Sequence, residues 1–321
     1  MDILPLTAPD GAAIPLYCWQ PAGSPRGVML ISHGLSEHGQ RYDRMARALA
    51  LAGFVVYALD HPGHGPLAEI PGYFAAHDGW QRVLDRVHTV RCYLNDRHPG
   101  LPLTLFGHSM GSFVARCYFL RHGAGLAALV LSATGYRQGG LARVMRRVAQ
   151  GWGKVVGDQV PSRFLARLIF GGFNLTFWPK RTPADWLSRD ADEVDRYLAD
   201  PLCAGFPTAG LWQDLFGGVA AMERAERRTN NLPRDCPVLL VAGSRDPVSL
   251  GYFGLNQLSA RYRAAGLEMV DVRVYRGGRH EMHNETNRDA YMAELLQWLE
   301  AHGALLSVPP DLAARTPLLP Y

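Results

Sequence analysis

The stretch "LTLFGHSMGSFVA" (residues 103–115) decides the fold, because it places a serine between two glycines where a strand pattern gives way to a helix pattern. Gly107, Ser109 and Gly111 match G-x-S-x-G, which is typical of a sharp strand–turn–helix that exposes a nucleophilic serine. Side chains two residues either side of Ser109 would collide in such a turn, so both glycines are required. We predict that Ser109 is a nucleophile at a helix N-terminus; the alternative is a serine that only caps this helix.

Similar apolar runs recur along the chain, and each ends in a turn. The runs predicted as strands are "GVMLISHG" (27–34), "FVVYALDHPGHG" (54–65), "LTLFGHS" (103–109), "ALVLSA" (128–133), "PVLLVAGSRD" (237–246) and "MVDVRVYRGG" (269–278). Helical patterns cover residues 80–98, 109–122 and 287–301. This alternation predicts an α/β protein with a mostly parallel central sheet and helices on both faces, and the ligand site of such sheets lies at the carboxyl ends of the strands.

The alternation is interrupted between about residues 135 and 228, where helical segments and tryptophans occur without a convincing strand. We interpret residues 135–228 as a helical cap inserted over the carboxyl ends of the strands. The core is then formed by residues 1–134 and 229–302. Residues 303–321 contain four prolines and are predicted to form a loose tail.

The first part of this cap is basic: the segment from Arg137 to Lys180 contains several arginines and lysines but a single acidic residue, Asp158. On one predicted helix the apolar and basic side chains fall on opposite faces, with Leu141, Val144, Met145, Val148, Trp152 and Val155 opposite Arg143, Arg146, Arg147 and Lys154. One interpretation is a face that makes transient contact with a lipid surface. The other is a helix that packs its apolar face on the core and leaves its basic side in water.

Composition limits the possible classes of protein. The chain has 321 residues, of which 48% are hydrophobic, and a net charge of +4, so it suits a globular protein and gives no indication of nucleic-acid binding. Its five cysteines are scattered without a CxxC pair, which argues against a zinc ribbon or a disulfide framework. The N-terminus does not resemble a signal peptide, and the apolar run at residues 48–59 is too short to span a bilayer. We therefore expect a cytoplasmic protein.

A serine nucleophile needs a general base and a group that orients this base. After such a turn, the partners follow in the order Asp, His at the ends of later strands. Asp246 and His280 occupy these two places. We predict that His280 takes the Ser109 proton while Asp246 fixes the ring tautomer, so that an acyl-enzyme forms and is hydrolysed without metal or cofactor. Alternatively, Asp246 only stabilises its Asp-Pro turn.

The tetrahedral intermediate of this reaction needs preorganised N–H donors, each worth about 3 kcal/mol. The amide of Met110, directly after the nucleophile, is the first predicted donor. The second is the amide of Leu35, in the loop "HGLSEHGQRY" (residues 33–42), where His33 and Gly34 let the backbone turn.

Six dispersed motifs resemble the monoacylglycerol lipase and lysophospholipase branch of the α/β-hydrolase superfamily. They are "HGLSEHGQRY" (33–42), "DHPGHG" (60–65), "GHSMGS" (107–112), "YLADPL" (197–202), "GSRDP" (243–247) and "RHEMHNE" (279–285). The resemblance covers roughly residues 10–302 and implies the α/β-hydrolase fold with an inserted helical cap. It also implies a catalytic triad of Ser109, Asp246 and His280, an oxyanion hole at Leu35 and Met110, and the hydrolysis of carboxylic esters whose acyl chain lies under the cap.

Two positions depart from the pattern of these relatives. Pro66 follows "GHG" where a small residue before a serine is common, and His283 occupies a place that is usually apolar. We expect His283 to pack or to make a surface hydrogen bond, and His280 to be the base. The basic start of the cap matches no motif, so the resemblance does not define the acyl chain or the head group.

Three other interpretations remain open. Asp60, His61 and His64, or His33 and His38, supply metal-ligand types, although none has the spacing H-E-x-x-H. A ligand-binding protein could have retained the fold without catalysis. The same triad also serves acyltransferases, thioesterases and peptidases.

Overall fold

The computed structural model describes residues 1–203 and 205–307, in which eight strands form one sheet. The strands are β1 (Asp2–Thr7), β2 (Ala13–Trp19), β3 (Gly27–Ser32), β4 (Phe54–Leu59), β5 (Leu103–His108), β6 (Ala128–Ser132), β7 (Val238–Gly243) and β8 (Val270–Tyr275). The α-helices are α1 (Asp43–Leu51), α2 (Gly79–Arg97), α3 (Met110–His122), α4 (Gly139–Val156), α5 (Arg163–Phe173), α6 (Ala191–Ala199), α7 (Ala209–Arg228), α8 (Gly251–Ala264) and α9 (Arg288–Ala301).

The strand order is β1-β2-β4-β3-β5-β6-β7-β8, and all pairs from β4 to β8 are parallel. The prediction of a mostly parallel sheet is confirmed, and each of the six predicted strands is present. The hairpin β1–β2 was not predicted, because Pro5 and Pro15 weaken its strand pattern. These two prolines lie opposite each other in the antiparallel pair near the edge of the sheet.

Successive strand residues contribute to two separate cores, one on each face of the sheet. Val28 and Leu30 of β3 pack with residues of α2, α3 and α8, whereas Met29 and Ile31 pack with residues of α1 and α9. This is the expected consequence of side chains that alternate along a strand. Because these strands are parallel, the carboxyl ends of β3, β5, β7 and β8 share one edge of the sheet. The loops that follow them carry the predicted site residues.

Within the described residues, the chain between β6 and β7 forms the helices α4 to α7 and no strand of the sheet. The interpretation in which α4 packs its apolar face on the core holds for Trp152 but is wrong for Leu141, Val144, Val148 and Val155, which are exposed. Ala142, Ala149 and Gly153 are the buried face, against α7, while larger apolar residues such as Leu141 and Val144 are exposed. Small residues allow two helices to approach closely, and α4 packs against α7 in this way.

The predicted tail is fixed where it begins. Ala304 and Leu305 are buried in the core with α1 and α9, and the Leu306 N–H donates to the Arg26 carbonyl at 2.9 Å. Residues 308–321, which contain the prolines, lie outside the described residues. In the described part of the chain, none of the helices has both the length and the hydropathy needed to cross a bilayer.

Candidate active site

Ser109 lies at the turn between β5 and α3, with φ 52° and ψ −119°, a conformation that residues other than glycine rarely adopt. Its N–H donates to the Ser132 carbonyl at 2.9 Å. A Cβ on Gly107 would lie 2.5 Å from the Gly111 carbonyl oxygen, and a Cβ on Gly111 would lie 2.0 Å from the carbonyl oxygen of Ser32. The turn therefore depends on two positions without side chains, which let α3 approach both β5 and the end of β3.

His280 follows β8 and is buried, and its Nδ1–H donates to Asp246 Oδ1 at 2.7 Å. The Asp246 carboxylate also accepts the N–H of Val248 at 3.0 Å and the N–H of Ser249 at 3.3 Å. Asp246 thus stabilises its own turn and orients the imidazole at the same time. Because Nδ1 carries the proton, Nε2 has the lone pair that a general base needs.

Buried histidines hold the loop that follows β3. His33 Nε2 accepts the His61 N–H at 3.0 Å, and His64 Nε2 accepts the Ser36 N–H at 3.3 Å. Burial lowers the pKa of His33 well below its ordinary value and that of His64 to about 4. Both rings are therefore neutral near pH 7 and can accept these bonds, which hold the backbone on either side of Leu35.

A cavity of about 440 Å³ opens at the carboxyl ends of the strands, and most of its wall is apolar. Ser109, His280, Leu35 and Met110 line it, so the predicted nucleophile, base and oxyanion donors meet there, while Asp246 lies behind His280. Much of the opposite wall comes from the segment between β6 and β7, including Leu141, Leu168, Phe170, Phe173, Trp186 and Trp212. A mostly apolar wall with a few polar groups suits an acyl chain with a reactive carbonyl.

His283 is buried, so the expected surface hydrogen bond is wrong, whereas packing describes its environment. Its ring stacks on Tyr42 with centroids 4.8 Å apart and meets His108 edge-on at 5.0 Å. Neither ring nitrogen has a hydrogen-bond partner within residues 1–203 and 205–307. Burial lowers the pKa of His283 to about 4, so the ring is neutral near pH 7.

Two contacts of the His280 segment were missed by sequence reasoning. The Trp186 ring lies 4.7 Å from the His280 ring, and the Trp186 carbonyl accepts the His280 N–H at 3.3 Å. Arg41 donates to both carboxylate oxygens of Glu281, at 2.7 and 2.9 Å. These partners are distant along the chain, so the sequence contains no local signal that joins them.

One group of side chains in the described ranges has donor types and spacing that could hold a metal ion. His38, Asp200 and Cys203 offer ligand atoms within 4.8 Å of one another. The His38 and Asp200 side chains are already hydrogen-bonded at 2.9 Å. Burial raises the pKa of the Cys203 thiol. None of the three lines the cavity at Ser109.

Comparisons with known proteins identify the family. A family model described as serine aminopeptidase, S33, matches residues 23–287. The chain is 32% identical over 297 residues to a monoacylglycerol lipase of Mycolicibacterium smegmatis, covering 91% of this chain and 94% of the relative. It is 30% identical over 295 residues to human monoglyceride lipase, covering 88% and 85%. A solved carboxyl esterase of Bacillus coagulans, in complex with glycerol, has a TM-score of 0.85 at 29% identity, covering 94% of this chain and 98% of the other.

These comparisons confirm the resemblance and the fold inferred from the six motifs. The family match spans most of the chain, and the structural similarity to the carboxyl esterase includes nearly the whole of both chains. The chain therefore belongs to the serine aminopeptidase, S33, family of α/β-hydrolases, and it hydrolyses carboxylic esters.

Proposed function

We propose that the protein hydrolyses monoacylglycerols or similar single-chain esters, such as lysophospholipids, with Ser109, His280 and Asp246 as its catalytic triad. The observation that carries this proposal is that Ser109 and His280, the latter bonded to Asp246, line one apolar cavity. The names of the relatives from Mycolicibacterium smegmatis and human support the substrate class.

In the proposed mechanism, His280 Nε2 takes the Ser109 proton as Oγ attacks the ester carbonyl. Asp246 stabilises the resulting imidazolium. The N–H groups of Leu35 and Met110 donate to the oxyanion, and in the described part of the chain neither N–H has a backbone acceptor. The C–O bond to the alcohol then breaks, and His280 protonates the leaving oxygen. Water repeats these steps on the acyl-enzyme and releases the fatty acid.

We further propose that residues 135–228 act as a cap on this cavity. Helices α4, α5 and α7 supply wall residues opposite Ser109. Glu223 of α7 accepts the N–H groups of Gln138 at 2.6 Å and Gly139 at 2.9 Å, so its carboxylate satisfies donors at the N-terminus of α4. These bonds join α4 to α7, the first and the last helix of the cap.

The same helices support the proposal that the cap makes transient contact with lipid surfaces. Leu141, Val144 and Val148 of α4 are exposed, as are Phe164 and Leu168 of α5. Leu141 and Leu168 also line the cavity, so the exposed apolar surface continues into it. Nearby arginines would favour anionic lipid headgroups.

The cytoplasm remains the proposed location, and the five free cysteines suit its reducing conditions.

Peptidase activity is the alternative that the family description raises, and an aminopeptidase needs a free anion for the substrate ammonium group. Glu37 and Glu281 are the carboxylates in the cavity wall. Each of their carboxylate oxygens already accepts at least one hydrogen bond from within the protein, so neither is free for an ammonium group. This arrangement favours esters.

Labelling with a fluorophosphonate probe tests the assignment of the nucleophile, with Ser109→Ala as the control. We expect the wild-type protein to be labelled and the variant to remain unlabelled. A wild-type protein that resists the probe would refute the triad. Rates on short and long p-nitrophenyl esters, monoacylglycerols and lysophospholipids then define the substrate, and a sharp optimum for short acyl chains would contradict the lipase-like proposal.

A further inference from the structure

We infer that Glu281 is a positioning residue. Through a bridge formed by Glu37, Arg41 and Glu281, it holds the oxyanion loop (residues 33–42) at a fixed position relative to His280. This inference rests on the proposed roles of Leu35 and His280. It adds a residue that acts on the geometry of the reaction without touching the reacting atoms.

The Glu37–Arg41–Glu281 bridge joins two loops that follow β3 and β8. Arg41 Nη1 donates to Glu37 Oε2 at 2.7 Å, and its two terminal nitrogens donate to Glu281 at 2.7 and 2.9 Å. Bidentate pairing of a planar guanidinium with a carboxylate fixes both distance and orientation. The two loops are therefore held at a defined spacing.

At one end, the bridge reaches the backbone of the oxyanion loop. Glu37 Oε1 accepts the Gly34 N–H at 2.5 Å and the Tyr42 hydroxyl at 2.9 Å. A Cβ on Gly34 would lie 2.6 Å from Glu37 Oε1 and 3.2 Å from the Ser109 Cβ. The peptide that carries the Leu35 N–H is thus confined between the nucleophile and Glu37.

At the other end, Glu281 directly follows His280 and is itself firmly held. Its N–H donates to the Leu187 carbonyl at 2.8 Å, and the Asn284 amide donates to its Oε2 at 2.9 Å. A displacement of the Glu281 side chain would consequently change the distance and orientation between the His280 segment and the Gly34 peptide.

Burial makes the bridge stiff. The side chains of Arg41, Glu37 and Glu281 are only 9%, 3% and 4% exposed. Burial acts to raise the pKa of Glu281, but the Arg41 guanidinium outweighs it and lowers that pKa, so Glu281 stays ionised. A buried charge that loses its partner is strongly unfavourable, so removal of one member forces the others to rearrange.

The oxyanion donors act in the transition state, so loosening the bridge should lower kcat and leave KM nearly unchanged. The test uses Glu281→Gln, which retains the side-chain size, and Arg41→Lys, which retains the charge without the bidentate geometry. Hydrolysis of p-nitrophenyl butyrate is measured and divided by the number of Ser109 sites that a fluorophosphonate labels. We expect kcat per site to fall about tenfold in both variants and KM to change by less than about twofold.

Glu226→Gln is the matched control. Glu226 is also buried and bidentate to an arginine, Arg116, at 2.9 and 2.7 Å, but neither residue lines the cavity. We expect this variant to lose thermal stability and to retain kcat per labelled site. An equal loss of kcat in the control would overturn the inference, because the effect would then follow from weakening any buried ion pair.

An active wild-type protein whose Glu281→Gln and Arg41→Lys variants retain kcat per site would overturn the inference and leave the proposed function intact. Division by labelled sites restricts the comparison to folded molecules. If Glu281→Gln does not fold, the result for Arg41→Lys decides. A wild-type protein without esterase activity would contradict the proposed function and, with it, this inference.

Discussion

At the residue scale, His280 and His283 are three positions apart and differ in every contact that matters for catalysis. His280 lines the cavity and donates to Asp246, whereas His283 is stacked on Tyr42 and has no hydrogen-bond partner in the described ranges. We expect His280→Ala to lower kcat on p-nitrophenyl esters by about 10⁴-fold, because the general base is lost. His283→Ala should lower it by less than about tenfold, through lost packing. Equal losses in the two variants would refute this assignment.

The burial of His283 also predicts a pH effect on stability. Its pKa in the folded protein is about 4, below the ordinary value of about 6.5. Between these values the unfolded chain binds a proton that the folded chain does not, so the free energy of unfolding falls as the pH falls through this window.

A His283→Phe variant retains an aromatic ring beside Tyr42 and cannot titrate. When the pH is lowered from 7 to 5, we expect the wild type to lose about 2 kcal/mol of unfolding free energy through His283, a loss that the variant does not show. Urea unfolding at both pH values measures this difference. The same pH dependence in both proteins would contradict it.

At the element scale, α4 presents large apolar side chains to the outside and small ones to α7. The triple variant Leu141→Ser/Val144→Ser/Val148→Ser should bind vesicles of anionic phospholipid at least about tenfold more weakly, because less apolar area enters the lipid interface. Co-flotation with vesicles measures the effect. Leu51→Ser in α1 is the control, since Leu51 is 88% exposed and does not line the cavity. Undiminished vesicle binding by the triple variant would exclude α4 as the contact surface.

At the scale of the whole molecule, four strand ends and the helices between β6 and β7 assemble a site that needs no metal for the proposed chemistry. We expect treatment with a chelator, followed by dialysis, to leave kcat on p-nitrophenyl esters unchanged. A rate that falls and returns on addition of zinc would contradict this expectation and would point to His38, Asp200 and Cys203, the group with metal-ligand spacing.

Several features could be predicted because their causes are local. The strand-to-helix turn at Ser109 follows from two glycines, an apolar run and a helical pattern within thirteen residues. Strands β3 to β8 follow from apolar runs that end in turns. The hairpin β1–β2 was missed because Pro5 and Pro15 weaken its strand pattern, and its place in the sheet depends on the pairing of β2 with the distant β4. The α4 pattern correctly predicted a helix, but it could not show that large apolar side chains such as Leu141 and Val144 stay exposed while small residues are buried.

The sequence by itself determined the class of fold, the order of the motifs and the residues proposed for the triad, because chain periodicity and turn chemistry act over a few residues. Only the tertiary structure decided that Trp186 packs on His280, that Arg41 joins Glu37 to Glu281, and that α4 turns its larger apolar side chains outward. These contacts join segments far apart along the chain. Their geometry depends on how whole elements pack, so it cannot be predicted from the local sequence around either partner.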